Sequence, residues 1–472
     1  MNAFVQNIAN QTTTTTNGMP ALKGTANSCV DLFFAIGASR GKNIIPQFIA
    51  AYLENRNLAG RIALYARDVR NGMGEREIFR SILKHLEGRD PDMAAALIPK
   101  VQELGRWDDL LVFSTDALKR IAYSEIREAL KAGNALCAKW MPRKGNIAKE
   151  LREFLVMSPK QYRKTLVAMT KVVETQMCAK EWDSINFSHV PSLAASRYRK
   201  AFMRNTPEYQ KYVASLVSGN DPKVKVNAGA VYPYDVIKNA LSFYYGNQLS
   251  VTERDFMVKQ WEALPNLVGD ANVLPMVDVS GSMQCPAGGS KSITCIDVAV
   301  SLGLYVADKN TGAFKDTFLT FSGKPDLLNL RGSVVDKLVQ MVKSDWGMNT
   351  DISAAMDKIL SHAKTFKVSQ SEMPQTLLIM SDMQFDRCAS FDGTAFDVFK
   401  HKFEKAGYAM PKIVFWNINA HSNVPVKATE SGVALVSGFS PNILKAILAN
   451  NLEEFTPEAI MLEAVMSERY NF

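Results

Sequence analysis

The sequence predicts two architectures in one chain: an all-α array of short helices over residues 27–268, then a doubly wound α/β domain over 269–472. A polar arm, read as flexible, precedes them over residues 1–26. Three observations carry the prediction. Apolar residues recur at helical spacing in the first part, as in Ile78, Ile82, Leu83 and Leu86, or Leu151, Phe154 and Leu155. Helix-stopping residues interrupt that pattern at Gly72, Gly74, Pro91, Pro99, Gly133, Pro142, Pro159, Pro191, Pro207 and Pro222. Beyond Pro265, short apolar runs of strand type alternate with amphipathic helices to the end of the chain.

In chain order, Thr12 to Thr16 form a polar run with neither a basic nor an apolar region of the kind a secretory leader needs. The helices that follow show no fixed period, so they read as an α-solenoid or an irregular helical array. The second part opens with Val273 to Asp278, a short apolar strand ending in a carboxylate. A helix carrying Ile293, Ile296, Val300, Gly303, Leu304 and Ala307 comes next, then a strand from Thr317 to Phe321 and a helix from Val334 to Val342. Ile352, Ala355, Met356, Ile359 and Leu360 mark another helix, and Thr376 to Met380 a buried strand. A helix over Phe396 to Phe403 and strands over Ile413 to Ile418 and Val433 to Val436 complete the series. In such folds ligands bind outside the carboxyl ends of the strands.

Composition narrows the function classes. With 47% apolar and 22% charged residues in 472, the chain has the balance of a globular protein, which excludes collagenous and disordered readings. No uncharged apolar run is long enough to cross a membrane. The six cysteines (Cys29, Cys137, Cys178, Cys285, Cys295 and Cys388) contain no CxxC pair, and they read as reduced thiols of a cytoplasmic protein. Charge is unevenly divided. Residues 1–268 hold 37 of the 55 Lys+Arg and 25 of the 47 Asp+Glu, so the helical part is basic and the remainder mildly acidic. A basic first part fits a polyanionic partner, although basic helices also serve solubility alone.

The chemistry concentrates in three segments. Asp278-Val279-Ser280-Gly281-Ser282 follows the first strand, Gly347-Met348-Asn349-Thr350-Asp351 precedes a helix, and Ser381-Asp382-Met383 ends a strand. All three belong on one rim of the sheet, where Asp278, Ser280, Ser282, Thr350 and Asp382 form an oxygen-only cluster. Such hard ligands suit Mg²⁺, or Mn²⁺ or Ca²⁺, rather than zinc or copper. Asp351 reads as a helix N-cap. Enzyme readings of these segments fail. A phosphoryl-transfer aspartate motif needs a second acid where Ser280 stands, and a nucleophile elbow needs G-x-S-x-G. His362, His401 and His421 read as surface residues on two helices and a loop, so no general base accompanies the ion.

The D-x-S-x-S of Asp278, Ser280 and Ser282, with Thr350 and Asp382 in that order, resembles the metal-ion-dependent adhesion site of von Willebrand factor A domains. The resemblance implies Ser280, Ser282 and Thr350 as direct ligands, and Asp278 and Asp382 as ligands directly or through water. Two earlier blocks, Ala66 to Arg80 with its Gly72-Met73-Gly74-Glu75-Arg76 turn, and Gly105-Arg106-Trp107-Asp108-Asp109-Leu110-Leu111, are similar to the TROVE module of the Ro ribonucleoprotein family. Ser381 to Phe385 and Val414 to Asn417 look closer to bacterial and viral members than to animal Ro. Membership implies a ring or crescent of HEAT-like helical repeats followed by the A domain, with RNA, as single-stranded ends or a small noncoding RNA, as partner. Cations available for it are Lys139, Arg143, Lys144, Lys149, Arg152, Lys160, Arg163, Lys164 and Lys171, with Arg197, Arg199 and Lys200 beyond; Trp140, Tyr162 and Tyr198 are interleaved. The same residues also fit a solvated helix face with core aromatics, and the glycine turn at Gly72 fits a purely structural role. The expected function is a non-catalytic RNA-binding scaffold whose cation receives a second ligand. The alternative is a protein-binding adaptor whose ion takes a partner's carboxylate, with no RNA role.

Overall fold

The protein is described by a computed structural model covering residues 11–170, 172–228, 231–244, 250–287, 290, 293–321, 324–343, 350–388, 392–421, 423–449 and 454–472. Helices of eight or more residues are numbered. They are α1 (Ser28–Ile36), α2 (Ile45–Glu54), α3 (Arg56–Arg67), α4 (Arg76–Arg89), α5 (Asp116–Lys131), α6 (Asn146–Phe154), α7 (Pro159–Met169), α8 (Ser192–Asn205), α9 (Glu208–Ser218), α10 (Pro233–Tyr244) and α11 (Val251–Glu262). The α/β part adds α12 (Cys295–Lys309), α13 (Val334–Lys343), α14 (Ile352–Thr365), α15 (Ala395–Ala406) and α16 (Pro457–Val465). Its strands are β3 (Val273–Asp278), β4 (Thr317–Phe321), β5 (Leu327–Asn329), β6 (Thr376–Ser381), β7 (Lys412–Asn417) and β8 (Val433–Ser437); an N-terminal hairpin supplies β1 (Thr12–Thr14) and β2 (Pro20–Leu22).

The architecture is the expected one, helices followed by a doubly wound sheet. Strand order is β5-β4-β3-β6-β7-β8, with β4 and β5 antiparallel and every other pair parallel. All residues of β3, β6 and β8 are buried, as strands covered on both faces must be. Helix α12 is buried from Cys295 to Ala307 except at Asp297, and Gly303 is what lets it lie so close: a Cβ there would stand 2.3 Å from Val277 Cγ2. From β3 the chain moves outward to β4 and then returns to β6 on the other side. The topological switch therefore falls between β3 and β6, whose carboxyl ends carry Asp278 and Asp382. The short strands β1, β2 and β5 have no sequence counterpart, because three residues are too few to show an alternation.

By compactness the chain divides into two units, and not at the linear boundary of 268/269. One comprises Met1–Ile62, Val231–Ser250 and Leu264–Ser467; the other comprises Ala63–Ala230, Val251–Ala263 and Glu468–Phe472. In the first unit α1 buries six of its nine residues, and the Ser437 hydroxyl at the end of β8 donates to Phe33 O at 2.8 Å. A helix this apolar needs cover on more than one face, and the sheet supplies it. The arm over 1–26, read as flexible, is ordered across its described part. Thr15 Oγ1 donates to Phe385 O (2.7 Å), Thr16 N to Gln384 Oε1 (2.6 Å), and Met19 is fully buried. Threonine hydroxyls and β-branched backbones suit a short hairpin that finds partners, which composition alone does not reveal.

The second unit has an aromatic core in which Phe202, Tyr209, Phe187 and Phe256 pack with Val213 and Leu216. Its two sequence blocks interlock. Arg67 and Asp109, both buried, pair at 2.7 Å, and Asp109 also receives Arg80 Nε at 2.7 Å and Arg106 N at 3.0 Å. Gly72 folds back so tightly that a Cβ would lie 1.9 Å from Tyr65 O. The terminal segment completes this unit: Tyr470 is edge-on to Tyr65, with centroids 5.6 Å apart, and its hydroxyl donates to Asp68 Oδ2 at 3.1 Å. The glycine turn and the D-D-L-L block thus act as packing and ion-pair elements.

Candidate metal centre and basic surface

Three loops bring the five oxygen-bearing residues to one rim. Asp278 ends β3, Ser280 and Ser282 lie beside and in a short 3-10 turn, Gly281–Gln284, Thr350 stands two residues before α14, and Asp382 follows β6. Asp278 is fully buried; its Oδ1 accepts from Ser280 N (2.9 Å) and its Oδ2 from Ser381 Oγ (2.5 Å). The Ser280 and Ser282 hydroxyls are 3.0 Å apart. Asp382, 1% exposed, accepts from Gln384 N at 3.2 Å. Thr350 is pinned through its backbone, donating to Asp386 Oδ2 (2.9 Å) and accepting from Asp386 N (3.0 Å). Its buried Oγ1 has no hydrogen-bond partner among the described residues. Asp351 caps α14 by accepting from Ala354 N at 2.9 Å. Gly347, Met348 and Asn349 lie outside the described residues.

The electrostatics of the rim are those of confined negative charge. Burial, and then the neighbouring Asp382, push the Asp278 carboxyl up to about 7, against hydrogen bonds from Ser280 and Ser381. Burial also raises Asp382, opposed by His421 and by the Gln384 backbone. Two buried carboxylates, with Asp382 disfavouring the ionisation of Asp278, beside an orphaned hydroxyl, fit a small hard cation, whose charge would relieve both. The described residues contain no cluster of three His, Cys, Asp or Glu able to hold a metal. A cation here would therefore be held by two acids and the hydroxyls of Ser280, Ser282 and Thr350, a donor set unsuited to zinc or copper.

Several neighbours escaped the sequence. His421, read there as a surface residue on a loop, places Nε2 3.9 Å from Asp382 Oδ2, and burial lowers its pKa. Lys42 Nζ donates to Asn419 Oδ1 at 2.6 Å and to Ala420 O, and burial lowers its pKa too. Gln384, in the block Ser381 to Phe385, donates to Asn423 Oδ1 at 3.0 Å and braces the turn where Met383 adopts a positive φ of 63°. Only Ser381 and Gln384 had any sequence signal, their adjacency to Asp382; Lys42 and His421 had none.

The basic residues separate into committed and available cations. Arg199 is tied to Glu253 at 2.7 Å and to Ser196 O at 2.7 Å. Lys139 faces Glu174 (3.8 Å), while Lys149 and Arg152 share Glu153 at 4.0 and 3.9 Å. Arg143 is exposed and reaches Thr170 Oγ1 at 3.2 Å. Lys144, Lys160, Arg163, Lys164, Arg197 and Lys200 are exposed with no ion-pair partner among the described residues. Lys171 lies outside the described residues. The interleaved aromatics have structural duties: Tyr162 is buried and bonds Pro142 O (3.0 Å), Tyr198 packs on Phe202, and Trp140 lies under the Arg106 guanidinium at 3.7 Å.

Comparison with known proteins matches residues 144–272 to a Domain of unknown function (DUF2828) and residues 272–469 to a Domain of unknown function (DUF7788). The chain is 30% identical to an uncharacterized protein of Acanthamoeba polyphaga mimivirus, over 96% of this chain and 86% of that protein. Among solved structures it is similar to the Ro (RSR) protein of Deinococcus radiodurans, with 14% identity and a TM-score of 0.48 over 93% of this chain and 99% of that one. No helix among the described residues is long and apolar enough to cross a membrane.

Proposed function

Starting from the fact that this chain belongs to the family of the mimivirus protein it matches across most of both lengths, we propose that it is a non-catalytic, Ro-like RNA-binding scaffold with a divalent-cation site in its sheet domain. The observation that carries the RNA half is the exposed positive charge of Lys144, Lys160, Arg163 and Lys164, which have no ion-pair partner among the described residues, within a stretch whose acids, Glu150 and Glu153, already face other cations. Surface cations without partners meet phosphate at little desolvation cost and release counterions as they do so. Because the nearby aromatics are engaged in packing, the recognition proposed here is of backbone phosphate rather than of stacked bases.

The sheet domain supplies the second half of this reading. Asp278, Ser280, Ser282, Thr350 and Asp382 would hold Mg²⁺, or Mn²⁺ or Ca²⁺ in its place. The bound ion would offer an electrophilic position to an outside carboxylate or phosphate oxygen. Asp386 positions Thr350, Ser381 orients Asp278, and Gln384 fixes the Asp382 turn. If the partner of that position is a protein and RNA binding is absent, the chain is an adaptor instead.

The test is direct binding. Protein purified at low salt should carry nuclease-sensitive absorbance at 260 nm, and the stripped protein should bind single-stranded RNA with affinity that falls as salt rises. Binding without salt dependence, or none, overturns the RNA half. Mg²⁺-dependent RNA cleavage that disappears in His421→Ala would overturn the non-catalytic half.

A further inference from the structure

Beside the rim lies a pair of thiols that no step above uses. Cys285 and Cys295 are ten residues apart in sequence, and their sulfurs are 3.4 Å apart. The described residues next to them, 285–287 and 293–295, pair antiparallel. Cys295 N donates to Cys285 O (3.0 Å), Ala287 N donates to Ile293 O (2.8 Å), and Pro286 pairs with Thr294. Cys285 and Cys295 therefore stand directly opposite each other. Opposed residues of a hydrogen-bonded antiparallel pair have Cα atoms about 5.5 Å apart. Disulfides span Cα separations of roughly 4.4–6.8 Å, so the backbone is already in range. The two thiols differ in access: Cys295 is 1% exposed, whereas Cys285 is half-buried, and its sulfur accepts from Asn419 Nδ2 at 3.3 Å.

We propose that Cys285 and Cys295 are a redox modification site that closes to a disulfide with a peroxide as oxidant, and that closure weakens the response of the adjacent rim to divalent cations. The second clause rests on the metal reading above; the first does not. In the chemical step the Cys285 thiolate attacks one peroxide oxygen, the O–O bond breaks, and the departing hydroxide takes up the proton shed by the Cys285 thiol and leaves as water, giving a sulfenic acid. The Cys295 sulfur then attacks that sulfur as the S–O bond breaks. The hydroxide leaves as a second water with the Cys295 proton. Two thiols are oxidised and one peroxide is reduced; a dithiol reductant reverses the change by exchange.

The coupling is geometric. Closure draws the sulfurs from 3.4 Å to about 2.05 Å. Cys295 is held at the start of α12, where Thr294 and Asp297 form a reciprocal cap, so Cys285 is the side that yields. Cys285 N donates to Ser282 O at 3.4 Å, and Ser282 is one of the hydroxyls of the rim.

The experiment uses the full chain with Cys178→Ser, because Cys178 is the exposed thiol. Reduced protein is treated with stoichiometric hydrogen peroxide, digested without reductant and mapped by mass. The expected product is one cross-linked peptide pair containing Cys285 and Cys295, lighter by two hydrogens, absent in Cys285→Ser and in Cys295→Ala. Sulfinic acid at Cys285 with Cys295 still free would overturn the pair, and Cys285→Ser, a change at a half-buried position, keeps that comparison open if Cys295→Ala fails to fold. The coupling is read as the rise in melting temperature with Mg²⁺, expected to be smaller in oxidised than in reduced protein; equal rises overturn it. If reduced protein shows no rise with Mg²⁺, Mn²⁺ or Ca²⁺, the metal reading and the coupling fail together, and the cross-linked peptide still decides the redox pair.

Discussion

Ser381 donates its hydroxyl to Asp278 at 2.5 Å, across the adjacent parallel strands β6 and β3, at the point where the sheet reverses its winding. That bond fixes one carboxylate oxygen while the Ser280 amide fixes the other. Asp278 is therefore oriented before any ion arrives, and the rim can be tested by substitutions that preserve its shape.

Thr350→Val keeps the β-branched outline and removes only a buried hydroxyl that has no partner among the described residues. The metal-free protein should melt at the same temperature or slightly higher, since an unsatisfied buried group is lost. The rise with Mg²⁺ should disappear. For a saturating ion at a hundred times its dissociation constant the wild-type gain is about 2.7 kcal/mol. Calorimetry with and without Mg²⁺ settles it, and a retained rise would remove Thr350 from the site.

Asp278→Asn should abolish the same rise while leaving RNA binding intact, because no proposed ligand lies in the helical part. Scanning fluorimetry together with an RNA titration reads both. Joint loss of both properties would show that the ion and the RNA share one structural requirement.

Charge reversal at Lys144, Arg163 and Lys164, all exposed and without ion-pair partners among the described residues, should weaken single-stranded RNA binding and flatten its salt dependence. The log–log slope should fall by about 0.7 for each phosphate no longer neutralised. The matched control reverses Lys358, Lys364 and Lys367 in the acidic part. Both triples change net charge equally, so equal losses would reduce the effect to bulk attraction.

Asp109→Ala should cost about 3–5 kcal/mol, because Arg67, 2% exposed, is left with an uncompensated buried charge. Arg67→Met combined with Asp109→Leu should recover part of that loss. Urea melts of the three variants test it, and a cost below about 1 kcal/mol for the single substitution, the range of surface pairs, would mean the interlock is ornamental.

Glu87 is the acid-sensitive cap of the helical unit. Burial would raise its pKa, but donors outweigh burial and lower it: Ser114 N at 2.7 Å, Thr115 N at 2.6 Å and Ser114 Oγ at 2.9 Å. A carboxylate whose folded pKa lies below its unfolded one contributes stability above the unfolded value, roughly 4.3 for glutamate. That contribution drains away as pH falls through the folded value. Glu87→Gln should therefore flatten the fall in stability below about pH 4.3 and lower stability at neutral pH. An unchanged acid limb in melts from pH 3 to 7 would dismiss the cap.

Local periodicity was enough to read α4, α14, β3 and β6 from the chain, because side chains two, three or four residues apart declare which face is apolar. The same locality placed Asp278, Ser280 and Ser282 at a strand end, and it put Thr350 before a helix and Asp382 after a strand. The sequence by itself thus determined the two architectures and the oxygen-rich rim. Tertiary structure alone decided what surrounds them. It seats α1 against β8 and the Thr12–Leu22 hairpin on Phe385, brings Lys42 and His421 to Asp382, and sets Cys285 against Cys295. It also assigns Tyr162 and Tyr198 to packing and Arg199 to Glu253. These outcomes depend on which distant surface satisfies a buried face, charge or hydroxyl. That is a property of the whole packed chain, and no spacing within a short window encodes it.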